Sequence, residues 1–263
     1  GEADFAPNPA QRDAILHVDG PLYLPAGPGS GKTRVLLWRT LNLIVFHDVP
    51  PEAIYFSTFT EKAARQLKEG LRGLLGLATN FTGRPYDISQ MYVGTVHSLC
   101  QRLIMDRRFY AERQRGRPPV LIDDLAQYFY LYRSSRWENF VRSAGFDGNA
   151  VPLINALFDE RQHPGSRHYA VTHTLALFNR LSEECLTSAQ VAAANADSTL
   201  VRLARMYEAY LASLQPVGQP PSTDFALLQQ EALRILHGHD GVAHPFQHVM
   251  VDEYQDTNTI QER

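Results

Sequence analysis

The sequence predicts an α/β fold in which a parallel sheet is flanked by helices and interrupted by an all-helical insertion. Three observations carry that expectation. Short apolar runs alternate with helix-length segments up to about residue 105, and a glycine-rich turn joins the first such pair. Residues 106–245 hold helix-like runs and no convincing strand, after which one short apolar strand returns near the end. Strands alternating with helices imply a parallel sheet, because each crossover brings the chain back to the same end, and ligands gather at the carboxyl ends of the strands.

The first element is a short helix. Asn8 reads as its N-cap and Pro9 as its first residue, and the helix ends before Gly20-Pro21. Gln11 lies one turn in. Its amide both donates and accepts, so it is suited to reading an adenine edge, and equally to being an exposed side chain. Spacing alone leaves both open.

Leu22 and Leu24 mark a strand that runs into Pro25-Ala26-Gly27-Pro28-Gly29-Ser30-Gly31-Lys32-Thr33. The turn matches G-x-x-x-x-G-K-[ST] except that Ala26 takes the first position, and alanine is small enough for it. Glycines let successive backbone N–H groups face one centre, and the helix beginning near Gly31 adds its positive end. The segment therefore reads as a phosphate-binding loop, with Ala26, Gly27, Gly29, Ser30, Gly31, Lys32, Thr33 and Arg34 as its binding residues. Lys32 is placed for β- and γ-phosphates, and the Thr33 hydroxyl for Mg²⁺. Val35, Leu36, Trp38, Leu41, Leu43 and Ile44 continue as a helix packed on the sheet.

A second buried strand is expected over Ala53–Thr58, then a helical stretch from Glu61 to Leu75; a third strand over Met91–Thr95 leads into a helix over Val96–Met105. The turns at 26–33, 58–62 and 95–98 then share one rim. In the insertion, helices are expected at Leu125–Tyr132, Leu175–Leu186, Leu200–Leu214 and Ala226–Leu236. Arg102, Arg107, Arg108, Arg113, Arg115 and Arg117 crowd its entrance, either as a solvated face or as a track for DNA. Finally Val249-Met250-Val251 delivers Asp252-Glu253 to the same rim. Asp252 is suited to orienting Mg²⁺ and Glu253 to polarising an attacking water.

Composition sets the outer bounds. The 263 residues are 44% hydrophobic and 20% charged, as in an ordinary globular chain of one or two domains. No apolar run approaches a membrane span, and the acidic, proline-bearing N-terminus is unlike a signal peptide, so a cytoplasmic protein is expected. Net charge is −3, divided as +4 over residues 1–120 and −7 over 121–263, which argues against a chain that grips nucleic acid with its whole surface. Cys100 and Cys185 are too far apart for a C-x-x-C site and read as buried thiols. The histidines at 163, 168 and 173, and at 237, 239, 244 and 248, lack the i,i+4 pairing of helical metal ligands.

Taken in order, Gln11, the loop 26–33, Thr58-Phe59-Thr60-Glu61-Lys62-Ala63-Ala64, Gly94-Thr95-Val96-His97-Ser98 and Val251-Asp252-Glu253-Tyr254-Gln255-Asp256-Thr257-Asn258 resemble a known set. They look like the Q motif and motifs I, Ia, Ib and II of UvrD/Rep-type superfamily 1 DNA helicases. Asp224-Phe225-Ala226-Leu227-Leu228 resembles the helix preceding motif II. Glu61 stands where the family often has Asn, and Val96 where an aromatic is common.

The resemblance implies a RecA-like P-loop subdomain 1A in two segments, 1–105 and 246–263, with helical subdomain 1B inserted at 106–245. It implies ATP and Mg²⁺ as cofactors, Gln11 as adenine reader, and Lys32, Asp252 and Glu253 as the catalytic set. It also implies single-stranded DNA as partner, met through Thr58, Phe59, Thr60, Thr95 and His97, with 3′ to 5′ translocation. The second RecA-like domain of the same protein is absent from the sequence, which is then expected to behave as a monomeric fragment that binds nucleotide and hydrolyses little. Two other readings use the same residues: a P-loop kinase, and a DNA-binding or partner-docking module with a vestigial nucleotide site.

Overall fold

The structure, a computed structural model, describes residues 5–27, 29–105, 119–146, 149–158, 163–194, 198–237 and 246–262. The chain forms two compact units, Gly1–Leu99 with Asp240–Thr257, and Cys100–His239 with Asn258–Arg263. The helix Val96–Met105 crosses the division, and the last residues, from Asn258, group with the helical unit.

The first unit opens with α1 (Pro9–Leu16), whose end is closed on both sides of the helix start by a capping box: the Asn8 side chain accepts the Gln11 N–H and the Gln11 side chain accepts the Asn8 N–H. α2 (Lys32–Phe46) packs on it through polar as well as apolar contacts. The Arg39 guanidinium donates to the carbonyls of Ala14, at 2.8 Å, and His17, and Asn42 donates to that of Ile15 at 3.2 Å. The orphan carbonyls at the end of α1 are thereby satisfied by α2. Burial holds the Arg39 pKa below its usual value.

Next come β1 (Ile54–Thr58), α3 (Glu61–Thr82), β2 (Tyr92–Thr95) and α4 (Val96–Met105). α3 buries Ala64, Leu67, Leu71, Leu74 and Leu75, a three-and-four spacing that turns one face to the core, and ends at Gly83 in the left-handed conformation. Gly70 lets α3 approach α2, since a β-carbon there would lie 2.8 Å from a methyl of Leu37. Parallel to β1 on either side run β2 and, from the far end of the chain, β5 (His248–Val251), giving the order β2-β1-β5. The register Phe56↔Val93 and Phe56↔Met250 centres the core.

One expected strand is missing. Leu22–Leu24 carries no ladder hydrogen bonds, Leu22 is 42% and Tyr23 78% exposed, and the segment is bracketed by Pro21 and Pro25. Proline has no N–H to give to a ladder, so it stops pairing at both ends of a three-residue run. The segment instead shares a cavity of about 920 Å³ with residues 247–255 along the open edge of β5.

The second unit holds α5 (Asp124–Tyr132), α6 (Ser134–Ser143), α7 (Val151–Phe158), α8 (Arg167–Glu183), α9 (Ser188–Ala194), α10 (Ser198–Ser213), α11 (Phe225–His237) and α12 (Thr259–Glu262). Its core is continuous from Leu131 and Trp137 through Ile154 and Phe178 to Tyr210. Residues 106–245, expected to be all helical, are not: β3 (Val120–Leu121) pairs in parallel with β4 (Ser222–Thr223). Two residues per strand are too few to show an alternating pattern in sequence. A buried polar knot closes the unit, in which Asp224 caps α11 through Leu227 N–H and accepts from Tyr210 and Gln127.

The two cysteines are half-buried rather than buried, and burial pushes the Cys100 thiol up to about 12. Among the described residues no helix is long and apolar enough to cross a membrane. The arginines at 107, 108, 113, 115 and 117 and the histidines at 239 and 244 lie outside the described residues.

Candidate functional site

The glycine-rich turn is shaped by backbone that only glycine adopts without strain. Gly29 has φ +76° and Gly31, at the N-cap of α2, φ +83°. With Ser30 N–H returning to the Gly27 carbonyl at 3.2 Å, the loop curls around the first turn of α2. A cavity of about 500 Å³ is lined there by Gly27, Gly29, Ser30, Gly31, Lys32, Thr33, Arg34 and Glu253. Seven of these eight are residues the sequence assigned to phosphate, and the eighth comes from the acidic pair at the far end. Ala26 lines the adjoining 920 Å³ cavity instead, and Pro28 lies outside the described residues. The Arg34 guanidinium is turned over the Phe5 ring, 5.9 Å from its centre.

Lys32 meets Glu253 across 221 residues of sequence, its Nζ donating to both carboxylate oxygens at 3.2 and 3.3 Å. Both side chains are partly exposed, at 26% and 38%, so the pair contributes on the order of 0–1 kcal/mol and is easily exchanged for a better anion. Glu253 has φ +56°, a strained setting for a non-glycine residue. That turn aims its side chain at Lys32 while Gln255 donates to it at 2.6 Å. The two hydrogen bonds, from Gln255 first and Lys32 second, hold the Glu253 carboxyl below the usual range. Asp252 is the opposite case: burial and the neighbouring Glu253 charge raise it, against a smaller lowering by Lys32. Its N–H donates to the Ser57 carbonyl at 2.9 Å, which extends the β1–β5 ladder and fixes where the acidic pair leaves the sheet.

Thr33 is exposed on the first turn of α2, in the same cavity as Lys32 and Glu253. Among the described residues no three His, Cys, Asp or Glu side chains converge closely enough to hold a metal alone. The oxygen donors present, Thr33 and Asp252, suit Mg²⁺, which keeps waters and phosphate oxygens as its other ligands.

Gln11 is tied into the loop itself. Its amide nitrogen donates to the Ser30 carbonyl at 2.9 Å, and its oxygen accepts from Asn8 N–H. One N–H and one lone pair remain for a ligand. The sequence passed over two parts of this geometry: the brace from Gln11 to Ser30 and the bond from Gln255 to Glu253. The second has a local signal, an amide two residues after a carboxylate on a tight turn.

On the other rim loops the structure narrows the assignment. Thr58 and Thr95 are register partners, 3% and 9% exposed, so neither hydroxyl lies open to solvent. Thr95 donates to Glu61 at 2.8 Å, and Thr60 caps α3 by accepting Ala63 N–H at 3.1 Å. His97 is half-buried. Phe59, 66% exposed, is the open face of the group. Gly94 permits the tight join of β2 to α4, because a β-carbon there would sit 2.4 Å from Ser98 Oγ, which donates to the Thr95 carbonyl. Gly94→Ala is therefore expected to cost about 1–3 kcal/mol of stability as an overpacked core site, read as a lowered thermal midpoint.

Residues 7–263 match the sequence profile described as the UvrD/REP helicase N-terminal domain. The ATP-dependent DNA helicase UvrD1 of Mycobacterium leprae is 32% identical over 262 residues, covering 97% of this chain and 29% of the relative. The ATP-dependent DNA helicase SRS2 of Saccharomyces cerevisiae is 27% identical over 266 residues, 97% of this chain and 20% of its own. The ATP-dependent DNA helicase PcrA of Bacillus subtilis is 41% identical over 97 residues, 37% of this chain and 12% of its own. The chain thus spans less than a third of the length of these relatives.

Proposed function

Because the chain belongs to the UvrD/REP helicase family, matching its N-terminal domain, we propose that it is the ATP-binding half of an ATP-dependent DNA helicase that translocates 3′ to 5′ on single-stranded DNA. The single observation that carries this reading is the meeting of Lys32 with Glu253 at the mouth of the glycine loop. A turn that cradles anions meets Glu253 there, and Asp252 lines the adjoining cavity together with Lys32 and Glu253, which supports a site for a nucleotide triphosphate with Mg²⁺.

In this proposal the first unit is a RecA-like subdomain 1A and the second a helical subdomain 1B. Backbone N–H groups of Gly29–Thr33 and the α2 N-terminus receive the phosphates, and Lys32 leaves Glu253 to reach them. Thr33 and Asp252 hold the metal, which when bound neutralises charge developing on the phosphates. Glu253, released from Lys32 and steadied by Gln255, orients and deprotonates the attacking water. Gln11 uses its spare N–H and lone pair on the base, while its bond to Ser30 couples base and loop. Phe59 offers a stacking face to unpaired bases at the carboxyl end of β1. A second motor domain supplies the remaining positive charge, worth on the order of 10³ to 10⁵ in rate where it is an arginine.

Titration of a fluorescent ATP analogue tests this. Saturable binding that is lost with excess EDTA, together with negligible steady-state hydrolysis, is expected of the 263-residue chain. Binding insensitive to EDTA would overturn the metal assignment. Brisk, DNA-stimulated hydrolysis would overturn the dependence on a second domain.

A further inference from the structure

The helical unit carries a feature unrelated to the nucleotide site. Phe129, Tyr128 and Tyr132 at the end of α5 and His168, Tyr169 and His163 around the start of α8 form a continuous run of rings. Neighbouring centres are 4.5–5.5 Å apart: Phe129 to Tyr128 is 5.3 Å, Tyr128 to Tyr132 is 5.2 Å and Tyr128 to His168 is 5.5 Å. The run goes on through His168 to Tyr169 at 5.4 Å and Tyr169 to His163 at 4.5 Å, the last pair nearly parallel at 8°. The rings are not hidden, since Phe129, Tyr132 and Tyr169 are 53%, 38% and 39% exposed, although Tyr132 is stacked on Tyr128 beneath Arg167 and one face of Tyr169 is stacked on His163. A row of this kind in water is costly unless something covers it.

Charge says what kind of partner fits. The Arg167 guanidinium lies over the Tyr132 ring at 4.9 Å and donates to Ser134 and to the Tyr132 carbonyl, while its Nε is buried without a partner. Arg133 and Arg136 flank the same helix junction, and Arg136 sits 3.7 Å over Tyr130. Among the described residues none of the three pairs with a carboxylate. Asp123 and Asp124 are at the opposite end of α5, where Asp123 is engaged as its cap. The rings are also met by the N-terminus of the 17-residue α8, whose dipole favours an anion. Flat faces beside cations that have no carboxylate partner match a strand of unpaired bases joined by phosphates; a duplex hides its base faces and fits poorly.

We infer that the run of rings on α5 and α8 is a stacking platform for single-stranded DNA on the helical unit. The choice of DNA as ligand rests on the helicase reading above; the platform itself rests on the rings and their cations. Bases stack on Phe129 and Tyr169, and the intervening phosphates lie against Arg167 and the start of α8.

Fluorescence anisotropy of a 5′-labelled dT20 strand, titrated with the 263-residue chain, tests it. Phe129→Ala with Tyr169→Ala is expected to weaken binding about tenfold or more, given 1–3 kcal/mol per stacked base. Phe129→Trp with Tyr169→Trp, which keeps the stacking faces, is expected to restore it. An abasic strand of equal length should show no difference between wild type and the alanine variant. Photo-crosslinking from 5-iododeoxyuridine should mark peptides of α5 and α8. Wild-type affinity in the alanine variant, or an equal loss on the abasic strand, overturns the platform. If Phe59→Ala alone weakens dT20 binding, the platform falls and DNA binding by the first unit stands. If wild type binds no DNA while retaining nucleotide, both DNA assignments fall and the nucleotide site stands.

Discussion

Lys32→Ala is expected to weaken binding of a magnesium–ATP analogue by about 10- to 100-fold, corresponding to the 1.5–3 kcal/mol of a hydrogen bond to a charged group. Lys32 lines the 500 Å³ cavity with Glu253, to which its ammonium is bonded, whereas the Arg34 guanidinium is turned over Phe5. Its present partner, Glu253, is partly exposed, so little stability is lost with the bond. The variant should therefore unfold within about a degree of wild type while losing the ligand. Equilibrium titration beside a thermal melt separates the two. Undiminished affinity in a folded Lys32→Ala protein would mean that nucleotide does not use this loop, and the vestigial-site reading would gain. Lys32→Arg should recover only part of the affinity, because a planar fork does not replace a compact ammonium in a tight loop.

Asp224→Ala should destabilise the helical unit by about 3 kcal/mol. The loss combines an N-cap, worth about 1 kcal/mol, with a buried Tyr210 hydroxyl left short of an acceptor, while the Gln127 amide keeps Asn179 and Tyr210. Asp224 is 3% exposed and takes Leu227 N–H at 2.8 Å, Tyr210 O–H at 2.8 Å and Gln127 N–H at 3.0 Å. Burial outweighs those three bonds and raises its pKa, and it raises that of Tyr210 as well. A carboxyl raised in the folded state adds stability that is full below the ordinary carboxylate range and is lost as pH rises through the raised value. The gap between wild type and Asp224→Ala should accordingly be wider at pH 4 than at pH 7. Urea midpoints across that range, followed by the fluorescence of buried Trp137, measure it. A gap that widens toward neutral pH would show the carboxylate to be stabilised by its donors after all.

Much of the fold was legible because it is written locally. The capping box at Asn8 and Gln11, the helix from Val96 to Met105, and the positive-φ glycines of the loop each depend on residues a few positions apart. In the helical unit α5, α8, α10 and α11 follow from apolar spacing, though α8 starts at Arg167 rather than Leu175, whereas α6, α7 and α9 were not among the expected helices. Leu22–Leu24 misled because an apolar alternation is necessary for a strand and not sufficient. Pairing needs N–H groups at both ends, and Pro21 and Pro25 lack them. The pair of β3 with β4 gave no signal, since two residues cannot display a period.

At the site, the sequence determined the inventory: a lysine-tipped glycine turn, an acidic pair after a strand, and an order of motifs whose family the whole-chain comparison shows. It did not determine which of the rim residues stay open. Thr58, Thr60 and Thr95 carry the right hydroxyls, but the sheet and the start of α3 use or bury them, leaving Phe59. Nor did it reveal that Gln11 braces Ser30 or that Glu253 is held by Lys32 and Gln255. The Lys32–Glu253 contact joins residues 221 apart, and the parallel pairing of β5 with β1 is what brings that end of the chain back beside the first unit's other strands. Local chemistry fixes what a residue is able to do, whereas the long-range register of strands decides which residues are near enough to do it together.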